Sequence, residues 1–483
     1  MNDTILILDY NYKYTEDIAI KLRLEGVACN ILPGDATQDE VNAIAPLGII
    51  LAGGTNERYP LRMDGRFLNY GIPVLALGNT AASLCLLLNG EVGEAQHLHK
   101  VEEVKFLPSP VTENMDTSDR MVHTCLPFSL SSELEPIAML NESVIGFKHQ
   151  ELNLYALGFQ IESNDPEGTS ILLNFALNVC GASRSWDEFA FISNMRSFIK
   201  KEVGDGFAVC AITGGLDSGV SATLAHRALG EKLRCFFVDT GLLRQGEIEF
   251  VLSHYRDKEN LSITLINAQE EFLSSLKGIV KPEDKQKAIS CTMKAVLKKV
   301  LKDTEYDAVI RGITCDEVLK HGLLNTMVPS EGKTVIAPLK EMFTSEIRNI
   351  AEKLGMPKEI TSAQPFPGTG LALRIHGEVT KYRLDILKTV DKIFSDSILE
   401  NEFTKRIFKF FACLYPIQGS DSDEVLITLR AVTIANTKED ESLLLPVRIP
   451  FDFLENLSNI IKERCPQVSR VAYDFTSVKN EAN

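Results

Sequence analysis

The feature that most constrains the fold is a strand, a glycine turn and a helix that follow one another at residues 207–228. The run Phe207–Ile212 is apolar, Thr213–Gly215 can turn tightly because glycine adopts positive φ, and a helix is predicted over Ser218–Ala228. Backbone N–H groups of such a turn point toward one spot, and the helix N-terminus adds positive potential there. The pattern therefore predicts an open α/β sheet with a pyrophosphate-binding loop.

Side chains in and after this loop also suit a nucleotide. The hydroxyls of Thr213 and Ser218 can donate to phosphate oxygens, and Asp217 can hold Mg²⁺. The loop is not a Walker A motif, since no Lys follows the second glycine, and a glycine pair alone is as often a plain connection. The next predicted strand, however, ends at Asp239 with Arg244 shortly after it, and ligands bind at that edge of open α/β sheets.

The chain divides into three predicted domains, at residues 1–182, 187–379 and 380–483. Short apolar strands alternate with amphipathic helices through the first two, which predicts parallel sheets covered by helices on both faces. The third mixes helices and strands. The predicted fold class is α/β, with two doubly wound parallel-sheet domains followed by a small α+β domain.

Composition narrows the functional classes. The balance of 50 Lys and Arg against 66 Asp and Glu gives a formal charge of −16, which argues against general nucleic-acid binding. No secretory signal pattern and no apolar run long enough to span a bilayer are apparent, so we expect no membrane partner. The ten cysteines are scattered singly, as in reduced thiols of the cytoplasm.

Six segments between residues 213 and 477 carry a resemblance to the GMP synthetase family, in the family's order, and the likeness extends over essentially the whole chain. The loop Thr213–Ser218 resembles the SGGxDS loop of N-type ATP pyrophosphatases. The other five are similar to GMP synthetase segments: Val238–Glu247 (VDTGLLRQGE), Lys281–Lys287 (KPEDKQK), Gln364–Arg374 (QPFPGTGLALR), Thr428–Thr433 (TLRAVT) and Val471–Ser477 (VAYDFTS).

The resemblance implies a class I glutamine amidotransferase domain, an ATP pyrophosphatase domain and a C-terminal dimerisation domain, and therefore a homodimer. It implies ATP and Mg²⁺ as cofactors, adenylation of the C2 oxygen of XMP, and displacement of AMP by ammonia. The residues expected to bind ATP are Thr213, Gly214, Gly215, Leu216, Asp217, Ser218, Asp239 and Arg244, with Asp217 also a catalytic candidate and the metal ligand.

The first domain departs from the family at the glutaminase residues. The run Gly71–Thr80 puts Gly78 where the nucleophilic Cys stands, and Phe159–Glu162 puts Gln160 where the catalytic His stands, whereas Glu162 is kept. Glycine offers no nucleophile and glutamine accepts no proton, so we expect glutaminase activity to be absent.

The acceptor region departs from the family as well. Leu323–Val328 lacks the histidines of the family's HHNVGG run, Tyr415–Asp421 replaces its VGVMGDGR stretch, and the C-terminal KPPATIEWE is reduced to Val478–Asn483. Lys479 stands in for the lysine of that tail only with a shift of one residue. Arg374 is a candidate ligand for an acceptor phosphate.

Three further residues are functional candidates, and two of them, Lys285 and Cys315, also have a structural explanation. Lys285 is a catalytic candidate at the ATP phosphates, or else a solvated helix charge. Asp316 is a catalytic candidate that would face the reaction centre. The neighbouring Cys315 is better explained as a small, half-buried residue than as a sulfur carrier.

The sequence therefore indicates a GMP synthetase-like ligase that activates a purine nucleotide, XMP or an analogue, and uses ammonia or a nucleophile from another protein. Two alternatives stay open at this point. One is a specialised-metabolism enzyme acting on a different purine-like acceptor by amination or sulfur transfer. The other is a non-catalytic, nucleotide-binding regulator.

Overall fold

The computed structural model describes residues 3–10, 12–53, 65, 68, 71–115, 117–161, 165–321, 330, 332–361, 368–401, 407–417, 424–434 and 443–479. The chain forms two compact units. The first comprises 1–195, 313–324 and 339–353, and the second comprises 196–312, 325–338 and 354–483. The division into three domains stays a prediction.

The first unit is built on one large mixed sheet. Its helices within the first 203 residues are α1 Tyr12–Leu24, α2 Gln38–Ile44, α3 Asn79–Leu87, α4 Pro166–Leu173 and α5 Glu188–Val203, which continues into the second unit. Its strands are β1 Ile5–Asp9, β2 Cys29–Pro33, β3 Gly48–Ala52, β4 Val74–Leu77, β5 Glu91–Val92, β6 Gln96–Phe106, β7 Thr117–Cys125, β8 Phe128–Ser129, β9 Leu134–Leu140, β10 Ser143–His149 and β11 Leu154–Leu157.

The strand order of this sheet is β2-β1-β3-β4-β11-β10-β9-β6-β7, with β8 pairing β10 and β5 pairing β8. The first five of these strands are parallel, and the rest extend the sheet in antiparallel fashion. Every residue of β3, β4 and β11 is buried. Continuous apolar strands of this kind are expected where helices cover both faces of a parallel sheet.

The middle of the chain supplies a second sheet, which is wholly parallel. Its strands are β12 Ala208–Ile212, β13 Leu233–Asp239, β14 Ile263–Asn267, β15 Ala308–Ile310 and β16 Thr334–Ile336, in the order β14-β13-β12-β15-β16, and all neighbours are parallel. The helices are α6 Leu216–Leu229, α7 Glu247–Val251, α8 Gln269–Leu276, α9 Pro282–Lys302, α10 Cys315–His321, α11 Thr344–Lys353 and α12 Lys358–Thr361. Helices α10 and α11 belong to the first unit.

The last part of the second unit is a small α+β assembly. It contains α13 Lys381–Leu399, β17 Lys409–Pro416, β18 Val425–Ile434, β19 Leu443–Pro446, α14 Phe451–Arg464, β20 Val468–Tyr473 and β21 Val478–Lys479. Its sheet has the order β17-β18-β19-β21, and β20 pairs with β18. The predicted α/β fold class is confirmed. Within the described ranges, the chain has no helix that combines the length and apolar character of a membrane span.

Candidate functional site

The loop between β12 and α6 is arranged as an anion-binding turn. Gly214 has a φ of 83°, and α6 begins after Gly215 without a side-chain hydrogen bond at its N-cap. The Thr213 N–H donates to Ser218 Oγ at 3.1 Å, and the two hydroxyl oxygens lie 2.9 Å apart. Because the first N–H groups of a helix lack intrahelical acceptors, this loop presents donors to a phosphate.

Close packing behind the loop holds its shape. A Cβ on Gly312, just after β15, would come within 2.7 Å of the Ser218 backbone nitrogen and 2.8 Å of the Asp217 carbonyl carbon and oxygen. A Cβ on Gly214 would lie 3.0 Å from Glu247 Oε1 and 3.4 Å from Val251 Cγ2. The loop is therefore supported from β15 on one side and from the segment that begins with α7 on the other.

Asp239 ends β13, the strand adjacent to β12, so the parallel register brings it to the same sheet edge as the loop. Its side chain is engaged in local structure: Oδ1 accepts from the Gly241 N–H at 2.9 Å, and Oδ2 accepts from Gln269 Nε2 at 2.6 Å. The carboxylate thus fixes the turn that leads to Arg244. Gln269, which follows β14 at the same edge, was not among the residues predicted from the sequence.

Arg244 and Arg374, predicted separately for the nucleotide and the acceptor, meet on one carboxylate. Asp391 Oδ2 lies 3.0 Å from Arg244 Nε, and Asp391 Oδ1 accepts from Arg374 Nη1 at 2.9 Å. Burial lowers the pKa of Arg374, and the charge of Asp391 opposes that shift. Asp391 was not predicted from the sequence, where its one local signal is an acidic residue beside the buried positions Leu387, Val390 and Phe394 of α13.

Lys285 is buried in the same unit, with 1% of its surface exposed. Its Nζ donates to the Ile375 carbonyl at 2.6 Å and to the Ala372 carbonyl at 3.3 Å. Burial, and then the nearby charge of Arg383, lower its pKa to about 8. These contacts fix Lys285 on the segment that carries Arg374, so it is not a solvated helix charge. Its catalytic role stays a prediction.

Asp316 and Cys315 lie in α10 of the first unit. Asp316 Oδ2 accepts from Thr344 Oγ1 at 3.4 Å, and the Cys315 N–H donates to the Met342 carbonyl at 3.0 Å. Burial raises the pKa of the Cys315 thiol, as expected of a structural cysteine. The predicted catalytic role of Asp316 stays a prediction.

In the first unit, the turn between β4 and α3 requires a residue with positive φ. Gly78 occupies it with φ 61° and ψ −127°, and its N–H donates to the Leu157 carbonyl at 2.8 Å. Gln160 is 8% exposed, whereas Glu162 lies outside the described residues. Cys85, in α3, is buried, and burial raises the pKa of its thiol to about 12, so it is a poor substitute nucleophile.

Two further predictions fall partly on undescribed positions. Lys479 belongs to the two-residue strand β21, which pairs with β19, but its side chain is outside what the structure describes. Residues 322–329 and 418–423, which belong to the predicted acceptor region, lie wholly outside the described residues. In the described ranges, no three His, Cys, Asp or Glu side chains are grouped as a metal cluster. Mg²⁺ commonly needs only one or two carboxylates beside substrate phosphates, so Asp217 in the loop fits that ion.

Comparison with known proteins gives full-length relatives. The GMP synthase (glutamine-hydrolyzing) of Ruminiclostridium cellulolyticum is 33% identical over 505 residues, which cover 99% of this chain and 98% of the relative. The enzymes of the same name from Acetivibrio thermocellus and Caldanaerobacter subterraneus are 32% identical over 505 residues and 33% identical over 498 residues. The two alignments cover 98% and 97% of those relatives.

No protein-family model matches the chain. A solved structure from Thermoplasma acidophilum, provisionally named as one subunit of a GMP synthase, is 20% identical and covers 37% of this chain and 94% of its own. Its TM-score is 0.32.

Proposed function

The chain belongs to the GMP synthase family, and from that premise we propose that it is an ATP-dependent ligase without its own glutaminase. In the proposed reaction it adenylates a carbonyl oxygen of a purine nucleotide, XMP or an analogue, and releases pyrophosphate. Ammonia or another nucleophile then replaces AMP. The observation that carries the proposal is the loop Thr213–Ser218, with its positive-φ glycine at the uncapped start of α6.

The chain's own groups would act chiefly by binding and orientation. The loop N–H groups and the hydroxyls of Thr213 and Ser218 would bind the pyrophosphate portion of ATP, and Asp217 would hold Mg²⁺. Bound Mg²⁺ would neutralise part of the phosphate charge. Arg244 and Arg374 would bring positive charge to the nucleotide and the acceptor. Preorganised charge of this kind is the main source of catalysis in phosphoryl-type transfers.

The absence of glutaminase activity rests on two residues. Gly78 stands at the turn after β4 without a nucleophilic side chain, and Gln160 cannot serve as a general base. The proposed enzyme therefore draws on free ammonia or on a donor protein. We propose that it acts as a homodimer in the cytoplasm, without a nucleic-acid or membrane partner.

A different purine-like acceptor is the second candidate. It is favoured by the sequence at 323–328, 415–421 and 478–483, which lacks the residues that the family resemblance leads one to expect around XMP. Only the acceptor and the nucleophile distinguish it from the first candidate, since both use the same ATP-binding loop.

The test is pyrophosphate release from Mg·ATP in the presence of XMP and ammonium chloride at a pH near 8.5, followed by a panel of other purine nucleotides. Release with GMP formed would support the first candidate, and release only with another purine would support the second. A protein that binds ATP but releases pyrophosphate with none of them would contradict both and favour a regulator.

The double variant Thr213→Ala, Asp217→Ala separates the enzyme from a regulator. We expect it to abolish pyrophosphate release, because the variant loses a phosphate donor and the metal ligand together. If any cellular effect of the protein survived that double variant unchanged, the effect would not depend on ligase activity.

A further inference from the structure

A single buried carboxylate joins the two arginines of the candidate site. Asp391 is 2% exposed and lies on α13, which packs against β17 through Phe394 and Phe410. Each of its oxygens faces a different guanidinium, Oδ2 toward Arg244 at 3.0 Å and Oδ1 toward Arg374 at 2.9 Å. Arg374 and Asp391 lie 17 residues apart in the sequence, whereas Arg244 comes from a distant part of the chain.

The three side chains differ in their access to solvent. The Asp391 and Arg374 side chains are 3% and 8% exposed, whereas the Arg244 side chain is 27% exposed. The buried pair is thus fixed, and the more exposed arginine is the one that can turn toward a ligand. Because two cations share one anion, the group carries a net positive charge that an anionic ligand can complement.

Other contacts hold the triad of Arg244, Arg374 and Asp391 within the second unit. The Arg244 N–H donates to Glu247 Oε2 at 2.9 Å, and Glu247 Oε1 is the atom nearest the Cβ position of Gly214. The backbone at Arg244 is thereby tied to the phosphate loop. On the other side, the Arg374 guanidinium lies 5.3 Å from the Phe411 ring of β17, and the Lys409 ammonium lies 5.9 Å from the same ring.

We propose that Asp391 is a positioning residue that divides its charge between Arg244 and Arg374 and so couples nucleotide binding to the acceptor side of the site. The proposal rests on the proposed function, because it takes Arg244 as a ligand for ATP. When Arg374 binds an anion, the charge of Asp391 acts more fully on Arg244. When Arg374 is removed, Asp391 pairs with Arg244 alone. Either change alters how strongly Arg244 can bind a phosphate, although Arg374 itself need not contact ATP.

A double-mutant cycle tests this without knowledge of the acceptor. The binding of α,β-methylene-ATP with Mg²⁺ is measured by calorimetry for the full-length wild type, Arg374→Met, Asp391→Asn and the double variant. We expect Arg374→Met to weaken binding by about fivefold or more in the wild-type background, within the usual range of coupling between sites. In the Asp391→Asn background we expect the same change to have less than about a twofold effect, as independent sites would show.

Two results would overturn the proposal. If Arg374→Met leaves the affinity unchanged in the wild-type background, or weakens it equally in both backgrounds, Asp391 does not couple the arginines. If the wild type itself fails to bind the analogue, the proposed function fails together with this inference, and that outcome is read directly from the first titration.

Controls address folding and charge. Asp396→Asn, on the same helix, removes an exposed aspartate that pairs with Lys392, and should leave the affinity unchanged. The double variant loses one cation and one anion together, so it should unfold at a temperature closer to the wild type than Asp391→Asn does. A merely structural role for Asp391 would lower the unfolding temperature without making the two binding effects non-additive.

Discussion

Gly312 illustrates how single residues outside the phosphate loop determine its shape. It follows β15, and its α-carbon lies so close to the Asp217–Ser218 peptide that a side chain has no room. The sequence alone could identify the glycines inside the loop, because their order and spacing form a motif. It could not identify Gly312 as part of the support, because that contact joins positions about a hundred residues apart.

We expect Gly312→Ala to destabilise the second unit by about 1–3 kcal/mol, the usual cost of forcing a methyl group into a packed site. Thermal unfolding measures the change. Gly215→Ala is the matched control, because a Cβ there would meet only Thr213 Oγ1, at 3.5 Å. Equal stability of the Gly312→Ala variant and the wild type would show that the loop relaxes freely away from β15.

Lys285 provides a pH-dependent test at the residue scale. Its pKa of about 8 in the folded protein lies below its ordinary value of 10.5. Between roughly pH 8 and pH 10.5 the unfolded chain therefore binds more protons than the folded protein. The free energy of unfolding of the wild type consequently rises with pH in that window. We expect the stability of the wild type relative to Lys285→Met to rise across that window by up to about 3 kcal/mol. Below pH 8 the difference should be constant.

The measurement compares unfolding temperatures of the two proteins from pH 7 to pH 10. Lys287→Met, an exposed lysine on the same helix, is the control and should show no such trend. A difference between Lys285→Met and the wild type that does not change with pH would mean that the buried Lys285 ammonium keeps an ordinary pKa.

At the scale of elements, a buried ion pair joins α11 to α1 within the first unit. Arg23 Nη1 of α1 donates to Glu346 Oε2 at 2.7 Å, Arg23 Nη2 donates to the Cys29 carbonyl at 2.9 Å, and the charge of Glu346 helps to raise the pKa of Arg23. The alternating patterns of strands and helices predicted parallel sheets covered by helices. They did not predict that α10 and α11 group with the first unit, because nothing local encodes a partner more than three hundred residues away.

We expect Glu346→Gln to destabilise the first unit by roughly 3 kcal/mol, because Arg23 would stay buried without its counter-charge. Glu352→Gln changes an exposed glutamate of the same helix and should have little effect. Differential scanning calorimetry distinguishes the two variants. Equal unfolding temperatures would contradict the stabilising role of the pair.

At the scale of the whole molecule, the chain aligns over 99% of its length with a GMP synthase relative, and it contains a mixed sheet in the first unit and a wholly parallel sheet in the second. The order of the motifs was enough to predict the family and the α/β class. The antiparallel strands that extend the first sheet, and the triad around Asp391, were not predictable, since side-chain periodicity does not reveal which distant segments pair. The proposed ATP-binding loop and the absence of a Cys at position 78 and a His at position 160 together define the proposed enzyme.

The most direct test compares nitrogen sources in one assay: pyrophosphate released from Mg·ATP with the accepted purine nucleotide, supplied either with ammonium or with glutamine, while glutamate is measured in parallel. We expect ammonium to support release and glutamine to support neither release nor glutamate formation. Release with glutamine, accompanied by an equal amount of glutamate, would contradict the proposed loss of the glutaminase.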